Sequence, residues 1–205
     1  MLMHSSNLAD YLLLLPAVLL ALTCHEYAHA WAALKLGDET AAGEGRLTLN
    51  PLSHLDVMGT IALVVTGLIG WAKPVPIDVR NFRRPTRDLS LVALAGPATN
   101  LALGLAAALA LKFTPPDFFR GFFEPAAMML GRFCVLNVGL AVFNLLPVPP
   151  LDGFKAAAYF LPPRFAAELE RYKLIAFAFL IFLIWTGAFR VILTRVLRLI
   201  DALLW

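Results

Sequence analysis

Apolar runs long enough to form helices across a bilayer alternate along this chain with shorter polar connections. Crossing roughly 30 Å of hydrocarbon takes about 20 helical residues. Segments at 11–36, 88–112, 126–147 and 173–195 meet that length. A further stretch, 57–72, is shorter and carries Gly59, Gly67 and Gly70, which suits a re-entrant or interfacial segment better than a full crossing. The pattern predicts an all-α polytopic membrane protein with about four transmembrane helices. After the first span, Arg46-Leu47-Thr48-Leu49 alternates polar and apolar before Asn50-Pro51, which predicts a short β segment ended by a turn. Lys73-Pro74-Val75-Pro76-Ile77 is expected to be extended, because each proline biases its predecessor away from helix. An ordinary surface loop is the alternative for both.

No connection is large enough to hold a separate soluble domain. Residues 1–205 are therefore expected to form one domain, with a core at about 11–155 and a C-terminal helical region at 165–205. Composition agrees with the membrane reading: 60% of the residues are hydrophobic, 15% are charged, and the mean hydropathy is +0.76. The first apolar run has no basic leader, since residues 1–10 contain no Lys or Arg, so it is expected to stay in the mature protein.

A formal charge of +3 is compatible with a nucleic-acid partner, but the basic residues are scattered between apolar spans without an aromatic-basic platform, so no nucleic-acid partner is expected. Their distribution instead orients the spans. Seven lie in 35–90 (Lys35, Arg46, Lys73, Arg80, Arg83, Arg84, Arg87) and four in 152–173 (Lys155, Arg164, Arg171, Lys173), against Lys112, Arg120, Arg132, Arg190, Arg195 and Arg198 elsewhere. The positive-inside rule places the first two groups on the cytoplasmic side. Arg190, Arg195 and Arg198 also suit an amphipathic helix at either surface, so the side of the C-terminus stays open. Cys24 and Cys134 form no CxxC pair or disulfide framework.

Three polar residues interrupt the end of the first span. His25-Glu26-Tyr27-Ala28-His29 matches HExxH, which on a helix sets two imidazoles about 40° apart around the axis, both able to bind one metal ion, beside a glutamate that can hold the attacking water. Ionisable residues within a span are costly and usually mark function. A catalytic zinc takes three protein ligands and leaves a position for water. Asp152 is the candidate third ligand, because it follows an apolar span in a stretch where prolines break the helix and Gly153 loosens the backbone. A hydrogen-bonded polar cluster and a plain helix-end aspartate are the structural alternatives.

At these residues the sequence resembles the site-2 protease family of intramembrane metalloproteases. HExxH at 25–29 is followed by Asn50, Pro51, His54 and Asp56 in an Asn-Pro-x-x-His-x-Asp stretch, then by the Asn-x-x-Pro-x-Pro-x-x-Asp-Gly pattern from Asn144 to Gly153. Gly96-Pro97-Ala98-Thr99-Asn100 is a further family-like element, and the likeness covers roughly 15–155. The resemblance implies one Zn2+ ion per chain held by His25, His29 and Asp152, with Glu26 as general base and then proton donor. It implies that Asn144 binds substrate or the developing oxyanion, helix packing being its other reading, and that His54 gates the site or touches the metal transiently, or else only stabilises a turn. Asn100 is expected to serve helix packing rather than chemistry. Unlike many members, the chain carries no PDZ domain between its spans, so substrate selection is not expected to rest on PDZ capture.

These readings converge on metal-assisted hydrolysis of peptide bonds in or near the transmembrane segments of membrane-protein substrates. Because the first span runs outside to inside, the site is expected nearer the cytoplasmic face of a prokaryotic cytoplasmic membrane, in contact with the lipid bilayer. The edge of Arg46–Leu49 is expected to pair with an unwound substrate segment. A membrane metal-ion carrier would use the same ligands without needing Glu26, and an inactive scaffold of the same fold is the other alternative.

Overall fold

The computed structural model of the chain describes residues 8–66 and 70–204. Helix α1 (Leu8–Lys35) is followed by the short α2 (Thr40–Gly43) and α3 (Val57–Thr66). Then come two long helices, α4 (Pro85–Phe113) and α5 (Glu124–Asn144). The chain ends in α6 (Asp152–Ala157), α7 (Pro163–Arg171), α8 (Lys173–Trp185) and α9 (Ala188–Leu204). Pro85 starts α4, where its missing N–H costs nothing, and the Asp88 carboxylate accepts from the Arg84 backbone N–H at 2.9 Å across that first turn.

Helix α4 is the centre of the bundle and packs against α1, α5 and α6. Its contacts with α1 run through Ala33 and Val92, joined by Phe82 from the preceding connection. Its contacts with α5 run through Ala107, Ala108, Cys134 and Val138, and Leu193, Val196, Leu197 and Ile200 of α9 close over them. Between apolar helices in lipid, water supplies no driving force, and small residues such as these alanines allow the close backbone approach on which dispersion depends. Arg190, Arg195 and Arg198 lie exposed on α9.

Among the described residues, two helices, α4 and α5, are each long and apolar enough to cross a membrane. The apolar run at 173–195 is not one straight helix: α8 and α9 meet at 68°, and the pair makes a third crossing if counted as a single broken span. Gly187, at φ 80°, turns the chain there. The structure thus offers two or three crossings by this measure where the apolar runs predict about four. Helix α1 covers the first predicted run with 28 residues, about 42 Å of helix; the side chains of residues 8–13 lie outside those described.

The predicted β segment does not form. Among the described residues the chain has no strand, and the one isolated bridge joins Leu55 to Ala72 in antiparallel sense. Local bonding takes up the backbone at 46–49: Arg46 N–H closes a turn onto the Ala41 carbonyl at 2.8 Å, and the Thr48 carbonyl accepts from the His54 ring at 2.8 Å. With no second strand at hand, a four-residue edge has nothing to pair with. In the 57–72 stretch, α3 spans 10 residues, about 15 Å, which is too short for a crossing; residues 67–69 of the expected re-entrant segment lie outside those described.

One buried carboxylate ties the connection after α1 to the approach to α4. Asp38 accepts from the Thr40 hydroxyl at 2.5 Å, the Asn81 amide at 2.7 Å, the Asp78 backbone N–H at 2.9 Å and the Thr40 backbone N–H at 3.1 Å. Burial pushes the Asp38 carboxyl up, but these donors outweigh it and hold it below the ordinary carboxylate value.

Candidate metal centre

His25 and His29 lie one turn apart on α1, on the side that faces α4, and both are buried. Asp152 reaches them from the first position of α6, 123 residues beyond His29. The nearest approaches are 3.0 Å between the two Nε2 atoms, 3.1 Å from His25 Nε2 to Asp152 Oδ2, and 3.2 Å from His29 Nε2 to the same oxygen.

What these atoms can do follows from the far side of each ring. His25 Nδ1 lies 2.5 Å from Asn100 Oδ1, and His29 Nδ1 lies 2.7 Å from the Val92 carbonyl oxygen. Both partners only accept, so both Nδ1 atoms carry the proton. In the neutral rings each Nε2 is then a lone pair, and two such lone pairs face each other and a carboxylate oxygen. Three acceptors at this range repel unless a proton or a metal ion lies among them, and a metal ion serves all three at once.

The triangle suits such an ion. Three corners of a tetrahedron with bonds of about 2.0–2.1 Å are about 3.3 Å apart, close to the separations found. The space is kept open by Gly96 of α4, where a Cβ would meet His29 Nε2 and come within 2.6 Å of His25 Nε2. A neutral imidazole pair, one carboxylate and Nδ1 atoms oriented by an amide and a carbonyl form the donor set of a divalent zinc site.

Asp152 is itself held. Its Oδ1 accepts from Lys155 Nζ at 3.2 Å, one turn on in α6, which leaves Oδ2 to the histidines. Gly153 is required by the close approach of α6 to the end of α5: a Cβ there would meet the Leu145 backbone and come within 2.6 Å of the Leu146 carbonyl oxygen. Ser90 of α4 donates to the Ala156 carbonyl at 3.0 Å, fixing the other end of α6.

The remaining sequence candidates are placed elsewhere. Glu26 is half-buried on α1 beside His25. Asn144 ends α5, where its amide donates to the Leu140 carbonyl of its own helix at 3.0 Å; among the described residues no hydrogen bond joins it to His25, His29 or Asp152. His54 is 1% exposed and donates through Nε2 to the Thr48 carbonyl, and it lies outside the group of ligand atoms that could share an ion. Arg46, also buried, donates through Nη2 to the Lys73 carbonyl at 2.6 Å; Thr48 accepts from the Asn50 backbone N–H, and Leu49 is exposed.

Asn100 ties α4 to α1 and α5 through its amide N–H groups, in keeping with a packing role, and its carboxamide oxygen also meets His25 Nδ1. Gly96 was noted only as part of a family-like element and Lys155 only for its charge, while Asn137 and the Val92 carbonyl were not singled out by the sequence. A usable signal existed for Asn100 and Asn137, each a polar residue inside an apolar run. None existed for the Val92 carbonyl, which belongs to the backbone.

The fold and the donor set together define a class: an apolar helical bundle built around an HExxH helix and a distant aspartate. No family model matches the chain, and no solved structure matches it. Its curated relatives are informative. It is 37% identical over 181 residues to "Putative zinc metalloprotease YwhC" of Bacillus subtilis, covering 87% of this chain and 80% of that one. It is 33% identical over 191 residues to "Putative zinc metalloprotease Rip2" of Mycolicibacterium smegmatis, covering 89% and 70%. An archaeal relative, "Putative zinc metalloprotease MJ0611" of Methanocaldococcus jannaschii, is 31% identical over 134 residues, covering 64% and 61%. The chain belongs to the site-2 protease family of zinc metalloproteases.

Proposed function

We propose that this chain is an intramembrane zinc endopeptidase that hydrolyses peptide bonds within or beside the transmembrane segments of membrane-protein substrates. The observation that carries the reading is the convergence of His25 Nε2, His29 Nε2 and Asp152 Oδ2 within 3.0–3.2 Å, with both Nδ1 protons committed elsewhere. Those three side chains would hold one zinc ion per chain. When bound, zinc would polarise the scissile carbonyl and make the attacking water more acidic. Glu26, on the same helix, takes the proton of that water and passes it to the leaving amine.

The site forms toward the start of α4 and after the end of α5. Gly96 lies 11 residues, about 17 Å of helix, into α4, and Asp152 follows the last residue of α5 by eight positions. With α1, α4 and α5 as spans of a bacterial-type cytoplasmic membrane, both places lie on the side of the Lys- and Arg-rich connections, which puts the site nearer the cytoplasmic face and lets water enter from there. Residues 1–205 then act as one domain. Asn144 contacts substrate once it is bound. His54 serves as an accessory group in the same connection.

Glu26→Gln in the purified protein, with a model transmembrane substrate in liposomes, tests the assignment. Cleavage is expected to fall by about 10²–10⁴-fold, the usual contribution of a positioned general base, while zinc is retained. Unchanged cleavage would overturn it and favour a metal-ion carrier, which needs the two histidines and Asp152 but has no use for the glutamate.

A further inference from the structure

The hydrogen-bond chain that orients His25 does not stop at Asn100. Asn137, on α5, is 0% exposed like Asn100, and its Oδ1 accepts from Asn100 Nδ2 at 2.8 Å. An asparagine inside an apolar helix is costly unless its amide is paired. This one is paired in a particular direction.

An isolated carboxamide can face either way, but the ends of this chain remove the choice. The Phe133 carbonyl only accepts, so Asn137 turns Nδ2 toward it, at 2.9 Å, and leaves Oδ1 facing Asn100. Asn100 therefore presents N–H to Asn137, and its other N–H reaches the Ala21 carbonyl at 3.2 Å. With both donors used, only Oδ1 remains for His25 Nδ1, at 2.5 Å. That oxygen requires a proton on Nδ1, which leaves Nε2 as the lone pair facing His29 and Asp152.

We infer that Asn137 is a positioning residue for the metal centre: by accepting from Asn100 it fixes the amide orientation that holds His25 in the metal-binding tautomer. Without it, Asn100 Nδ2 keeps only the longer bond to the Ala21 carbonyl, at 3.2 Å, so the preference against the flipped amide is weakened. The flipped amide offers N–H to His25 Nδ1 and so favours the tautomer protonated on Nε2, which has no lone pair for a metal. The polarity of the chain thus originates in backbone carbonyls of α5 and α1, and it reaches the metal centre through two asparagines.

This deepens the zinc-site reading proposed above and is tested without substrate. Zinc affinity of the full-length protein in detergent, measured by chelator competition, is expected to fall by about 10–100-fold in Asn137→Ala, the usual effect of losing an outer partner of a ligand. Val138→Ala, at the neighbouring buried position, opens a comparable gap without removing an acceptor and is expected to leave the affinity within about twofold. Because Asn137 acts through Asn100, the double variant Asn100→Leu/Asn137→Ala is expected to bind zinc no worse than Asn100→Leu alone. Should Asn137→Ala not fold, Asn137→Leu, which fills the space without an acceptor, is expected to show the same loss.

Wild-type affinity in the Asn137 variants, an equal loss in Val138→Ala, or additive losses in the double variant would each overturn the inference. A protein whose zinc affinity depends on Asn137 but which cleaves nothing would leave the inference standing and sink the protease assignment. The reverse result would separate them the other way.

Discussion

Three of the chain's histidines are buried alike, His25 at 5%, His29 at 7% and His54 at 1% exposure, yet only two of them converge with a carboxylate in a group that could hold a metal ion. The difference lies in what each ring does with its second nitrogen. His25 and His29 donate through Nδ1, and their Nε2 atoms meet each other and Asp152. His54 donates through Nε2, and its Nδ1 is buried with no partner among the described residues, as are Nε and Nη1 of Arg46. Burial therefore does not distinguish a ligand. Two rings turned so that their lone pairs converge with a carboxylate do.

The largest expected effect comes from removing a corner of the triangle. Asp152→Ala is predicted to weaken zinc binding by more than about 100-fold, beyond what an outer partner costs, and to leave no measurable cleavage; stoichiometric zinc at micromolar protein would contradict the geometry. Next, Gly96→Ala places a methyl group against both imidazoles and is predicted to displace the ion while α4 stays folded, so that zinc content falls and the helical circular dichroism does not. Retained zinc would mean that the cavity relaxes more easily than its packing suggests.

A smaller effect, on stability rather than binding, is expected at Asp38. Asp38→Ala strands the Asp78 backbone N–H and the Asn81 amide and should cost about 2–3 kcal/mol, read from thermal unfolding in detergent. Because the folded carboxyl is held below its ordinary value, its contribution is complete above the unfolded value and is lost as pH falls below about 4. A variant whose acid stability matches that of the wild type would refute this. The smallest effect is the most informative about the comparison. His54→Ala is expected to change zinc affinity by less than about threefold, whereas His25→Ala or His29→Ala abolishes binding. A large loss at His54 would bring it into the metal centre.

HExxH was legible because its two imidazoles are four residues apart, so helix geometry alone brings them together. Asp152 was legible because prolines and a glycine mark a break after a span. Helix α4 was also legible, since its run of apolar residues has no rival reading as a span. The split of the last run into α8 and α9 was not, because hydropathy is blind to the direction a chain takes at Thr186–Gly187. Nor was the failure of the β segment at 46–49, where alternation names a face but supplies no partner strand.

By itself, then, the sequence determined the helical and apolar character of the protein, the pair of histidines and a candidate for the third ligand, all of which depend on local spacing or composition. Only the tertiary structure decided which nitrogen of each ring carries the proton, because that depends on Asn100 and the Val92 carbonyl of α4, 75 and 63 residues away. A tautomer is set by the acceptor the ring meets in space, and no pattern along the chain records that meeting.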